Sequence, residues 1–133
     1  MNLEIDGKWE LIALHRIILE AKYNESPVDL DVQGSPFSKF IYEKVFSLLI
    51  DHYESEGDKK EVERWLDWRK LDGNSLQIDN LKNRLSIIHS SNWAPLSDEN
   101  KVEYINCLTT PYLASETLVQ ELVEFADNVH RDS

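Results

Sequence analysis

SPFSKFIYEKVFSLLIDHYESEG, residues 35–57, is the stretch whose reading decides the fold. Ser35 followed by Pro36 supplies a capping hydroxyl and a proline whose fixed φ suits the first helical position, and Gly57 closes the segment. Between them Phe37, Ile41, Tyr42, Val45, Phe46, Leu48, Leu49, Ile50 and Tyr53 recur at helical spacing and cover more than half of the helical circumference. A helix that apolar needs covering on several sides. The segment therefore reads as a helix over 36–55 at the centre of an all-α bundle. On this reading Leu48 is a core residue, and its truncation to alanine should cost about 2–5 kcal/mol.

The flanking sequence supplies the helices to cover it. Leu11, Ile12, Leu14, Ile18 and Leu19 share one face of a helix over 8–23, with Asp6 or Gly7 as its cap. The alternative is a hairpin within residues 3–11 turning at Asp6-Gly7. It would pair Ile5 with Lys8 and Glu4 with Trp9, throwing the apolar residues onto opposite faces, so the helix is preferred. Residues 24–34, with Pro27, Asp29, Asp31 and Gly34, read as a long loop. Asp58 and Glu61 form a capping-box-like start to a helix ending near Leu71. Ile78, Leu81, Leu85 and Ile88 align on a helix near 77–90, and residues 92–95 read as loop. Ser97 ahead of Asp98 and Glu99 opens a helix that stops at Thr110-Pro111, because anions favour the positive end of the helix dipole. Leu118, Val119, Leu122, Phe125, Ala126 and Val129 line one face of a last helix over about 116–130. The expectation is one domain over 1–133, built of about five to six helices.

Composition narrows the function classes. At 133 residues and 41% hydrophobic content a packed core is the default, burying roughly two-thirds of the surface of the unfolded chain. Cys107 is the only cysteine, which excludes an internal disulfide framework and any zinc site of several thiolates, and fits a reducing, cytoplasmic address. No basic and apolar leader opens the sequence, and no run approaches the roughly 20 apolar residues of a membrane span. A formal charge of −11 opposes nucleic acid and anionic membranes, whose affinity for proteins comes from Lys and Arg. Residues 97–133 alone carry −6.

Few residues carry a chemical signature. His15 falls inside the apolar arc of the first helix and reads as a hydrogen-bonded core histidine, while His52, His89 and His130 lie on other elements at no ligand spacing. The run Asp29-Leu30-Asp31-Val32-Gln33-Gly34 imitates half a calcium loop, but Phe40 stands where calcium needs a bidentate carboxylate. No nucleophile elbow, phosphate loop, dinucleotide fingerprint or zincin motif is present, so no catalytic residue, metal or cofactor is assigned. Cys107 has no local activator and reads as a small buried residue. Trp65 reads as core and Trp68, at the flank of the same helix, as half-exposed. Arg69 falls on the inward face beside Val62, Trp65 and Leu66. Its charge cannot be discharged, so it must either extend its head to water at the end of the helix or meet a carboxylate inside. The expectation is that it donates to an Asp or Glu from another segment, because the neighbouring aromatic rings restrict its escape.

One outer face is strongly acidic: Glu121, Glu124 and Asp127 on the last helix, with Asp98, Glu99, Glu103 and Glu116 near in sequence. Clustered charge of one sign speeds encounter with an opposite partner. In size, acidity and lack of catalytic motifs the chain resembles the bacterial immunity proteins and antitoxins that neutralise toxins. That resemblance implies a protein-binding module that occludes a basic partner. Glu121, Glu124 and Asp127 would mimic phosphate charge, and Trp68 or Tyr112 would supply the desolvated anchor. A helical adaptor or assembly subunit with apolar contacts is the alternative. An enzyme with His15 or His52 beside a carboxylate in a cleft is the third reading.

Overall fold

The computed structural model describes residues 1–5, 7–24 and 30–131. Among them the chain forms seven α-helices and no strand: α1 Lys8–Tyr23, α2 Pro36–Ser55, α3 Lys59–Trp68, α4 Ser75–Ile87, α5 Ser90–Trp93, α6 Asp98–Thr109 and α7 Glu116–His130. The chain is all-α, with one helix more than the sequence suggested. The addition is α5, a single turn in the stretch read as loop, nucleated where the His89 ring accepts from the Ser91 N–H and held by burial of Trp93.

Helix starts follow local chemistry. Ser35 Oγ accepts from the Phe37 and Ser38 amides, Asp58 from Glu61, Asn74 from Gln77, Ser97 from Asn100 and Ser115 from Leu118. Each such cap is worth about 1 kcal/mol. Gly7 caps α1, which begins at Lys8, so residues 8–11 are helix rather than half of a hairpin. Asp6, Pro27 and Asp29, and with Asp29 the start of the calcium-like run, lie outside the described residues; Leu30–Val32 is a 3-10 turn. Glu61 does not close a capping box, because its carboxylate is held by Arg64 at 2.7 Å. Gly57 ends α2 at φ +68°, a conformation that a side chain disfavours. Helix α3 stops at Trp68 rather than near Leu71. The chain there turns to pair with the segment after α6, through Leu71 N–H to Leu113 O at 2.8 Å and Leu113 N–H to Arg69 O at 2.6 Å.

The core divides into two clusters. Leu11, Tyr42, Val45, Phe46, Leu49, Tyr53 and Trp65 join α1, α2 and α3. Leu71, Leu81, Leu85, Trp93, Ile105, Leu108, Tyr112, Leu118, Val119, Leu122, Val123 and Ala126 join α4 to α7 and their links. Thus α2 is the hub of the first cluster and α7 of the second, and α2 also touches α6. Helix α2 is thus central as expected, reaching α1, α3 and, across the two clusters, α6.

Polar side chains tie the halves together at the C-terminal end of α6, where carbonyls lack helical partners. Lys22 Nζ donates to Cys107 O at 2.6 Å and Tyr23 Oη to Thr109 O at 2.7 Å, while Thr110 Oγ1 answers Asn106 O within the same helix end at 3.1 Å. Lys22 is 1% exposed, and burial, the largest cause, lowers its pKa to about 8. Cys107 is free and buried, as the sequence suggested. No helix is long and apolar enough to cross a membrane among the described residues.

Candidate functional site

Helix α2 is apolar on two faces, and the fold covers one of them. At about 100° per residue, the buried set Tyr42, Val45, Phe46, Leu49 and Tyr53 occupies an arc of about 100°, and Phe37, Phe40, Ile41 and Leu48 occupy another arc of similar width. The second arc faces solvent: Phe37 is 78% exposed, Phe40 62%, Ile41 50% and Leu48 47%. Leu48 is therefore not a core residue, and the expected cost of truncating it passes to Leu49, which is fully buried. Lys44 crosses the stripe with its ammonium 4.8 Å from the centre of the Phe40 ring. A shallow groove runs along the same face between Phe40, Glu43, Lys44, Ser47 and Leu48.

The residues singled out for partner binding separate into two groups. Glu121 and Glu124 are exposed on α7, as an acidic binding face requires. Asp127 is half-buried and already engaged by other parts of the fold. Its Oδ1 accepts from Trp93 Nε1 at 2.9 Å and from Lys101 Nζ at 2.8 Å, so it anchors α5 and α6 to α7. Tyr112 is 5% exposed, packed edge-on against Tyr23, and Trp68 is half-buried between Tyr112 and His15. Tyr112 is thus a core residue and not an exposed anchor. The sequence placed Trp68 on a helix flank, half-exposed, but not what the chain brings against either ring.

His15 is the core histidine its position suggested. It is 6% exposed, its Nδ1 lies 2.8 Å from Tyr42 Oη, and its ring meets the edges of Trp65 and Trp68 at centroid distances of 4.9 Å. A cleft of about 540 Å³ opens beside it, rimmed by Trp9, Arg16, Asp58 and Arg64 among others. Burial, aided by the Arg16 cation, lowers the pKa of His15 from 6.5 to about 4. The folded state therefore holds the neutral ring, while the unfolded chain takes up a proton below about 6.5. Stability from this group is intact above that pH and drains away as pH falls toward 4. In His15→Gln the fall in denaturation midpoint over that interval should be smaller than in the wild type. Equal falls would assign the acid sensitivity to other groups.

Arg69 is 6% exposed and sits over the Phe46 ring at 4.1 Å. Its guanidinium donates to both oxygens of Glu43 on α2, at 2.6 and 3.2 Å, and to Pro111 O at 3.3 Å. The carboxylate from another segment that its buried position demanded is Glu43. His130, buried at the end of α7, donates through Nε2 to Leu85 O at 2.7 Å, leaving Nδ1 to accept from Ser90 Oγ. Both groups are structural. No group of three or more His, Cys, Asp or Glu is placed to hold a metal ion among the described residues.

No family model, curated protein or solved structure matches the chain.

Proposed function

We propose that this chain is a protein-binding module that docks through the outer stripe of α2. The observation carrying the reading is the exposure of Phe37, Phe40, Ile41 and Leu48 on one face of a helix whose opposite arc is fully packed. Soluble monomers rarely leave contiguous apolar surface of that kind uncovered, and where it occurs it marks an interaction site. The spacing of these four residues suits a helix laid into a partner's apolar groove, where positions three and four apart act as anchors. The charge of −11 and the free face of Glu121 and Glu124 favour a basic partner, which is the chemistry of toxin neutralisation by an immunity protein. Apolar docking with charge serving only solubility is the adaptor reading, and the two differ in salt dependence.

The test compares immobilised wild type, Phe40→Ser/Leu48→Ser and Glu121→Gln/Glu124→Gln, each verified as folded by its helical circular dichroism, in capture from the native cell followed by affinity measurement. The stripe variant should lose at least about tenfold in affinity, roughly the contribution of one good anchor. The carboxylate variant should lose affinity only at low salt if the partner is basic. A captured protein that binds the wild type and the stripe variant equally would remove α2 as the docking face. Asp127 is left intact in these variants because it holds Trp93 and Lys101.

A further inference from the structure

A second cavity, of about 490 Å³, lies between the end of α4, α5, α6 and the segment 31–34. That volume is in the range of small-molecule sites, roughly 300–1,000 Å³. Much of its wall is apolar, including Ile88, Trp93, Leu96 and Leu108, and two buried polar side chains, Arg84 and Gln33, complete it. Gly34 contributes its lack of a side chain: a Cβ there would stand 2.8 Å from Tyr104 Cε2, so only glycine lets that ring close the wall.

The two polar side chains are unusual in what they lack. Arg84 is 6% exposed and Gln33 is 2% exposed. Nη2 of Arg84 donates to Asn24 O, but its Nε and Nη1 have no acceptor among the described residues, and neither has Nε2 of Gln33. A guanidinium cannot shed its proton to escape this cost, and an unpaired buried charge is expensive. Lys22 deepens the imbalance. It donates to Gln33 O at 2.7 Å, and Arg84 is near enough to add to the depression of the Lys22 pKa after the larger effect of burial. One buried cation with two unanswered donors and an orphaned amide thus line one apolar-walled cavity, with the Lys22 ammonium bonded to the backbone of Gln33 behind it.

We propose that this cavity binds a small organic monocarboxylate, with its anionic end taken by Arg84 and the Gln33 side-chain amide and its apolar body against Ile88, Trp93, Leu96 and Leu108. The carboxylate supplies acceptors for the orphaned donors, and charge-assisted bonds of this kind are stronger than neutral ones. A single carboxylate charge matches Arg84, the one guanidinium or ammonium among the described residues lining the cavity, whereas a phosphate dianion brings a second charge that no further Lys or Arg of that lining answers. Nothing in this proposal rests on the α2 stripe, so either reading can fail without the other.

The experiment titrates the full chain with phenylacetate, phenylacetamide and inorganic phosphate, using calorimetry and thermal unfolding. Phenylacetate should bind, raise Tm, and exceed the neutral amide and phosphate by about tenfold or more in affinity, the equivalent of one lost charge-assisted bond. Arg84→Met should keep its Tm or gain, since an apolar chain of similar length relieves the unpaired charge, while losing about tenfold or more in affinity for phenylacetate. Gln33→Leu, which keeps the backbone carbonyl for Lys22, should also bind more weakly, and it decides the matter if Arg84→Met does not fold. No binding of phenylacetate at millimolar concentration overturns the proposal. So does equal binding of the amide, tighter binding of phosphate, or undiminished affinity in the deciding variant.

Discussion

Leu49→Ala should lower the free energy of unfolding by about 2–5 kcal/mol, whereas Leu48→Ala, its chain neighbour, should change it by less than about 1 kcal/mol. Leu49 has no exposed surface and belongs to the cluster of Tyr42, Val45, Phe46 and Trp65, so removing its isobutyl group loses both the transfer energy and the contacts around the resulting void. Leu48 lies 100° round the helix, with 47% of its surface already in water. Proteins of this size are stable by only about 5–15 kcal/mol, so the first change removes a large part of the total. Urea denaturation of both variants with unchanged slope measures the difference through the midpoints. Equal destabilisation would show that the outer stripe of α2 is packed in solution, which would also withdraw it from partner binding.

Arg69→Met should cost about 2–3 kcal/mol and should cost less in a Glu43→Gln background. The single change strands a carboxylate against the Phe46 and Pro111 region and leaves Pro111 O without its donor. Breaking a fully buried pair costs roughly 3–5 kcal/mol. The cost here is smaller because the Glu43 side chain keeps 39% exposure and solvent screens part of the loss. In the double variant neither charge remains to be compensated, and methionine retains contact with the Phe46 ring. A double-mutant cycle should return a coupling of about 1 kcal/mol or more. A coupling near zero would mean that Arg69 stabilises through its packing and the Pro111 carbonyl alone.

These two expectations mark where sequence reading stops. Helix α2 was legible to the residue at both ends because Ser35, Pro36 and Gly57 act on their own neighbours, and α1 and α7 were legible through apolar spacing within a single helix. The expectation of a carboxylate for Arg69 was legible too, since a guanidinium on an inward arc must reach water or meet an anion, and the neighbouring rings close the way to water. Arg84 lay on the inward arc of Leu81, Leu85 and Ile88 in the same way, and Lys22 followed Leu11, His15 and Ile18 on theirs. The same argument, applied to them, would have flagged two more buried cations.

What the sequence by itself determined, then, is the helical class, the start of most elements and the presence of charges at inward positions. All of these depend on groups within one or two turns of each other. The tertiary structure alone decided that the Leu49 arc of α2 is covered and the Leu48 arc is not, that Glu43 answers Arg69 from 26 residues away, that Tyr112 is buried and that Asp127 is taken up by Trp93 and Lys101. It alone brought Gln33 and Arg84 to one cavity. Periodicity shows that a face is apolar and charge shows that a partner is needed, but which surface meets which is fixed by the path of the whole chain, through contacts between residues that no local spacing relates.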